Sequence, residues 1–365
     1  MEVQKILVLR LSAVGDVIRT LPAVKALKER GPSSRITWVV EEPSKTFLES
    51  QPEVDEVLLF PRKRWTQGIR SPQTWWRTAK EISQFVRELR GRQFDVVLDF
   101  HGILKSGLLS LLSGSAKRIG FDRRSSKEGN SLFSNVKVEL PKEGVTRYQR
   151  GFFLLRGLGL DVNHSSGSLS IPYRDREYVD SFFNRLSNSP LKPLIAIHPG
   201  TSSNYRSKRW MPDRYAQLAD RLVEEIQGTV IFTWGPEESP LVEGIRKAMT
   251  RPSILAPPTE SLTQLGEVFR RCHLYIGGDT GPTLIASMVG VPVVVLYGPI
   301  DPFLYEPLGN HRNVVKEVGC NPCRKRSCEE MTCLEKITVE DVFGAAREML
   351  ACPSERGQEG VVRAS

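Results

Sequence analysis

The 365-residue sequence contains no Asp-x-Asp pair, no G-x-G-x-x-G fingerprint and no P-loop, and each absence removes a reading. Without two aspartates at i and i+2, the usual clamp for a divalent ion on a nucleoside diphosphate is missing. Without the dinucleotide fingerprint, a Rossmann oxidoreductase loses its main support. Hydrophobic runs are short. Val291–Tyr297 falls far below the roughly 20 residues a spanning helix needs, and no Lys/Arg pair precedes an apolar stretch at the start, so neither a transmembrane segment nor a signal peptide is expected. Repeats of solenoid length are absent, and Gly 29, Pro 24 and 8% aromatics are too ordinary for a collagen-like or low-complexity chain.

What is present is a balanced α/β composition, 40% apolar and 25% charged, at a length that predicts two globular domains. The net charge of +9 is unevenly spread. Residues 1–175 hold 29 Lys and Arg against 19 Asp and Glu, a net of +10, whereas residues 176–365 hold 22 against 23. Within the first half, Pro61–Lys80 carries Arg62, Lys63, Arg64, Arg70, Arg77 and Lys80 with no acid, interleaved with Trp65, Trp75 and Trp76. Nucleic acid, an anionic membrane surface and a phosphorylated substrate all suit that segment, and so does a solvated loop and helix face.

Short β-branched runs alternate with helical patterns. Lys5–Ser12, Arg35–Val40, Glu56–Phe60, Asp95–Phe100 and Lys117–Phe121 read as strands, with helices at Val17–Arg30, Thr74–Arg90 and Ile103–Leu112. After a helix at Asp175–Leu186, Ser187–Pro193 has linker composition. The alternation then restarts, with strands at Leu194–Ile197, Thr229–Thr233, Ser253–Leu255, Leu274–Ile276 and Pro292–Tyr297. Helices are expected between and after them, at Asp213–Ile226, Glu238–Met249, Ser261–Arg270, Thr280–Val289 and Val339–Leu350. This predicts two doubly wound, Rossmann-like parallel-sheet domains facing across a cleft, over residues 1–175 and 190–350, with a polar tail at 351–365.

Ligands of such sheets sit beyond the carboxyl ends of the strands, which directs attention to four loops. Leu9–Asp16 leads into a helix, and Asp16 reads either as an N-cap or as a general base. Ile276–Pro282 (IGGDTGP) brings Asp279, Thr280 and Gly281 to a helix start suited to phosphate, with Asp279 as a cap being the alternative. His198–Ser203 supplies Thr201 and Ser202 and is followed by Lys208, a cation suited to pyrophosphate. Trp234–Glu238 offers Glu237 and Glu238, either to a ribose diol or simply to an acidic helix start.

Together these stretches resemble a family. VLRLSAVGDVIRTLP at the start, DFHGILKS at Asp99–Ser106, HPGTS with KRWMP, WGPEE, GGDTGP and YGPIDP at Tyr297–Pro302 are similar to the ADP-heptose:lipopolysaccharide heptosyltransferases, glycosyltransferase family 9, from about Lys5 to Pro302. RKRW at Arg62–Trp65 and the Lys127–Phe133 stretch resemble the heptosyltransferase I branch, which adds the first heptose to Kdo2-lipid A.

The resemblance implies a GT-B fold with an N-terminal acceptor domain, a C-terminal nucleotide-sugar domain and no cofactor. It implies an inverting, metal-independent transfer in which Asp16 is the base, Lys208 and the Thr280–Gly281 amides stabilise the leaving diphosphate, and domain closure excludes water. Thr201, Ser202, Lys208, Glu237 or Glu238, Asp279, Thr280 and Gly281 match donor positions. Arg62, Arg64, His101, Lys105 and Lys127 fall where acceptor contacts are expected. The implied partners are ADP-heptose, a phosphorylated lipid acceptor and an anionic membrane surface, with no nucleic acid, the protein being a monomer peripheral to the cytoplasmic face of the inner membrane. Leu284 departs from the family's D-T-G-P-x-H, which leaves another nucleotide sugar, or a later core acceptor, as the alternative.

Cys320, Cys323, Cys328 and Cys333 form a C-x2-C-x4-C-x4-C cluster, with Cys272 and Cys352 elsewhere. Four thiols so close suggest a structural cluster, metal-bound or bridged, outside the transfer chemistry. A non-catalytic nucleic-acid binder is the reading from another class; it rests on the isoelectric point of 9.3 and the Arg/Trp segment, with no recognised nucleic-acid motif to support it.

Overall fold

A computed structural model describes residues 4–162, 168–186, 193–202, 207–323, 325 and 328–351. Apart from their end residues Pro193 and Ala351, the expected linker and polar tail lie outside these residues, as does Cys352. The chain forms two compact units, Met1–Ser166 and Gly167–Ser365. The division falls before the helix Tyr173–Leu186, not at 175–190 as the composition suggests. Asp175 explains the shift: its buried carboxylate accepts hydrogen bonds from Ser261, Thr263 and Gln264, so this helix is tied to the second unit.

The first unit is a six-stranded parallel sheet of β1 (Lys5–Leu9), β2 (Arg35–Val40), β3 (Glu56–Leu59), β4 (Val96–Asp99), β5 (Lys117–Phe121) and β6 (Val136–Val138), in the order β3-β2-β1-β4-β5-β6. Its helices are α1 (Val14–Arg30), α2 (Lys45–Glu49), α3 (Arg62–Arg70), α4 (Trp75–Gly91), α5 (Leu104–Leu112) and α6 (Arg147–Leu155). The second unit repeats the winding with β7 (Leu194–His198), β8 (Thr229–Phe232), β9 (Ile254–Leu255), β10 (Leu274–Gly278), β11 (Val293–Tyr297) and β12 (His311–Val315), ordered β12-β11-β10-β7-β8-β9. It carries α7 (Tyr173–Leu186), α8 (Pro212–Ile226), α9 (Ser239–Ala248), α10 (Leu262–Arg270), α11 (Gly281–Met288), α12 (Pro302–Tyr305), α13 (Thr332–Glu335) and α14 (Val339–Ala351).

Central strands such as KILVL, LIAIH and VVVLY are buried almost throughout, as expected where helices cover both faces of a parallel sheet. In each unit the chain starts mid-sheet, winds outward through two strands, and returns to the other side of its first strand. The reversal points are β1/β4, where Leu9 pairs with Asp99, and β7/β10, where His198 pairs with Gly277. Loops leaving adjacent strands in opposite directions open a crevice there, and this is where ligands of such sheets bind. Every candidate loop named above leaves one of these four strands, or the neighbouring β8.

Candidate functional site

At β1/β4 the two loops are cross-linked. The Leu11 amide donates to His101 Nδ1 at 3.1 Å, and Arg10 Nη1 donates to the Phe100 carbonyl at 3.0 Å. Because Nδ1 accepts, the proton of the neutral ring sits on Nε2. Burial, then the positive charge of Arg10, pushes the His101 pKa down to about 4. The imidazole is therefore a neutral N–H donor at physiological pH.

Asp16 does not cap α1. The cap position is Ala13, and Asp16 lies in the first turn with its carboxylate in an ion pair with Arg10. Burial works against its charge, but Arg10, Arg19 and Arg147 outweigh it and hold the carboxyl below its usual range. Arg147 starts α6, and Arg150 one turn later lies with its guanidinium 4.0 Å from the Phe121 ring centre. Burial and the charges of Arg147 and Arg10 lower the Arg150 pKa to about 10, a sign of how closely these cations are gathered. Arg147 and Arg150 escape a sequence reading because the packing of α6 on α1 brings them in from 130 residues away.

The acceptor candidates divide. His101 sits beside Asp16 and Arg10, and Lys105 is near enough to act on the His101 charge. Lys127 is exposed, and its amide donates to the Gly102 carbonyl at 2.8 Å, so it borders the same loop. Arg62 pairs with Glu41 at 2.7 Å, and the Glu41 amide donates to the Leu11 carbonyl, which brings Arg62 to the edge of the β1 loop. Arg64 pairs with Glu81 on α4 and belongs to the exposed surface. The run without acids is thus supplied with acids in space. Of its tryptophans, Trp65 is buried against Phe60 and Phe85, whereas Trp75 and Trp76 are exposed.

At β7/β10, Lys208 Nζ meets the Asp279 carboxylate at 2.6 Å, with both side chains largely buried. The cap position of α11 is Thr280, so Asp279 is not the cap. Thr201 is buried and its hydroxyl has no hydrogen-bond partner among the described residues. Arg209, next to Lys208 in the KRWMP stretch, donates to the Thr201 carbonyl at 3.2 Å. Ser202 is exposed beside it.

The structure separates the two glutamates. Glu237 is exposed; Glu238 turns inward, accepting from the Gly235 amide at 2.7 Å and lying 3.3 Å from His198 Nε2, whose Nδ1 is 3.0 Å from the Thr233 hydroxyl. Burial opposes the Glu238 charge, but the His198 hydrogen bond and the Gly235 amide prevail and hold its pKa down. Its carboxylate occupies the space where a Cβ on Gly200 would lie, at 2.1 Å, so any larger residue there would displace it. Leu284 is buried in the core of the second unit.

The cysteine cluster is not closed among the described residues. Cys320, Cys323, Cys328 and Cys333 are free thiols, and no group of three or more His, Cys, Asp or Glu is arranged to hold a metal ion. Cys333 is buried beside Leu334 in the apolar core, and burial pushes its thiol pKa up. Cys272 is buried, its thiol donating to the Val268 carbonyl.

Two doubly wound parallel sheets, each with polar groups gathered at its reversal point, are the architecture of the GT-B fold. The family model of glycosyltransferase family 9 (heptosyltransferase) matches residues 82–334, and the chain belongs to that family. It is 28% identical over 312 residues to the lipopolysaccharide core heptosyltransferase OpsX of Haemophilus influenzae, covering 84% of this chain and 83% of that protein. With lipopolysaccharide heptosyltransferase 1 of Pseudomonas aeruginosa it shares 26% identity, over 95% and 93% of the two chains. Among solved structures, a family 9 glycosyltransferase from Veillonella parvula superposes with a TM-score of 0.76 at 24% identity, covering 96% and 99%. Heptosyltransferase WaaC of E. coli, solved with ADP, gives 0.74 at 21% identity, covering 95% and 100%. Among the described residues no helix is long and apolar enough to cross a membrane.

Proposed function

We propose that the protein moves heptose from ADP-L-glycero-D-manno-heptose to the lipopolysaccharide inner core, on an acceptor of the Kdo2-lipid A type, with inversion and without a metal ion. The observation that carries the reading is the Asp16 carboxylate, released from capping and kept ionised by Arg10 at the β1/β4 crevice. An ionised carboxylate held this way takes the proton of the acceptor hydroxyl as its oxygen attacks the anomeric carbon. The bond to the diphosphate breaks on the opposite face through an oxocarbenium-like transition state, giving one inversion.

The first unit is the acceptor domain in this reading. His101 Nε2–H, Lys105 and the Arg147/Arg150 cluster face an acceptor that carries phosphates and carboxylates. The second unit takes the donor: Glu238 receives the ribose diol, Thr201 and Ser202 bond the diphosphate, and Lys208, Arg209 and the amides at Thr280–Gly281 offset the charge that develops on it. Asp279 holds Lys208 in place until the phosphate arrives. These cations do the work assigned elsewhere to a divalent ion, so a chelator leaves turnover unchanged. The lipid acceptor implies attachment to the cytoplasmic face of the inner membrane.

Asp16→Asn keeps the shape and removes the base. Turnover is expected to fall by about a thousandfold or more, while donor affinity, measured by calorimetry, stays within twofold. Retained turnover, or an equal loss of donor binding, rules Asp16 out as the base. A panel of nucleotide sugars, read by diphosphate release, tests the donor.

A further inference from the structure

The Glu238 carboxylate is oriented by the sheet and not by its own loop alone. Glu238 stands at the cap position of α9, after the turn that leaves β8. Both bonds that orient it fall on Oε2: the Gly235 amide at 2.7 Å and His198 Nε2 at 3.3 Å. No hydrogen bond from a described residue falls on Oε1, which is left to accept from a ligand.

His198 is the last residue of β7, paired with Gly277 of β10, and is only 4% exposed. Its ring is too enclosed to meet a nucleotide, so its effect on one must pass through Glu238. Thr233, directly after β8, extends the sheet by donating its amide to the Ile197 carbonyl at 3.0 Å, and its buried hydroxyl lies 3.0 Å from His198 Nδ1. An ionised carboxylate only accepts, so Nε2 carries the proton; in the neutral ring Nδ1 then accepts from the Thr233 hydroxyl. Thr233 thus selects the tautomer, and His198 passes that choice to Oε2. Apolar side chains would fill the same space at a lower desolvation cost. What the polar pair contributes is direction, at a carboxylate otherwise able to turn about its last torsion.

We infer that Thr233 and His198 are positioning residues that set how well the second unit tells a ribonucleoside diphosphate from one lacking the ribose hydroxyls. The inference rests on the reading of Glu238 as the ribose acceptor, and its test separates the two. Dissociation constants for ADP and for 2′,3′-dideoxy-ADP are measured by calorimetry on the full chain and its variants, and the readout is their ratio. The wild type should prefer ADP about tenfold or more, and Glu238→Ala should bring the ratio near one. His198→Phe keeps a ring and loses both nitrogens; it should lower the ratio severalfold by weakening ADP alone. His198→Gln, whose amide can donate in place of Nε2, should restore most of it. Thr233→Val should lower the ratio by a smaller factor and Thr233→Ser should leave it at the wild-type value, a contrast that stands even if the phenylalanine variant does not fold. A wild-type ratio in both His198→Phe and Thr233→Val, with Glu238→Ala near one, overturns the inference and leaves the ribose reading intact. An equal loss of both nucleotides in these variants also overturns it, since His198 would then be a packing residue. A wild-type ratio near one, or a preference that survives Glu238→Ala, overturns the ribose reading and the inference with it.

Discussion

His101 is kept neutral by its surroundings, and that has a thermodynamic cost on the acid side. Its folded pKa of about 4 lies below the ordinary 6.5, so the fold prefers the uncharged ring. The stabilisation is complete above pH 6.5 and is lost as the pH falls from 6.5 toward 4. At roughly 1.4 kcal/mol per unit, the loss approaches about 3 kcal/mol. In His101→Asn the amide oxygen still accepts from the Leu11 amide but takes up no proton. The drop in melting temperature between about pH 7 and about pH 4.5 is expected to be smaller in this variant than in the wild type. An equal drop means that other groups govern acid unfolding. The Asp16 pKa is also lowered, so its carboxylate stays charged over the same interval.

At the level of elements, the central strands were legible because β-branched runs between turns have few other ways to bury themselves. The edge strands β6 and β12 were not, being short and polar (VKV and HRNVV). α3 was hidden by its composition: RKRWTQGIR buries only Trp65 and contains a glycine. α6 had a readable signal in the Thr146/Gln149 capping box, and with it Arg147 and Arg150 could have been placed on a helix. Their meeting with Asp16 could not, since it depends on packing between distant segments.

Loop chemistry was legible as residue type and not as geometry. The sequence left Glu237 and Glu238 equivalent, and the bonds to Gly235 and His198 decide between them. From that geometry, Gly200→Ala should force the Glu238 carboxylate out of its seat, because the new Cβ would overlap it. Donor affinity is expected to fall about tenfold or more. Unchanged donor affinity shows that Glu238 does not serve the nucleotide.

At the scale of the whole molecule, the charge is divided as the two proposed tasks are. The first 175 residues carry the +10, and the remainder is close to neutral. Raising ionic strength from low to physiological shortens the reach of that field to about 8 Å. The KM for a phosphorylated acceptor should therefore rise severalfold with salt, while donor affinity, if it rests as proposed on the buried Lys208 and Glu238, changes little. Steady-state kinetics at two salt concentrations separates the two responses. Parallel changes in both would mean that the charge asymmetry serves solubility and not recognition.

The identical winding of the two sheets has an evolutionary consequence. Each unit has its own sheet, its own reversal point and its own core cluster, so a substitution at one reversal point removes no contact from the core of the other unit. Under the proposed division of acceptor and donor between the units, selection on the acceptor sugar and selection on the nucleotide-sugar supply would act on separate halves of one gene.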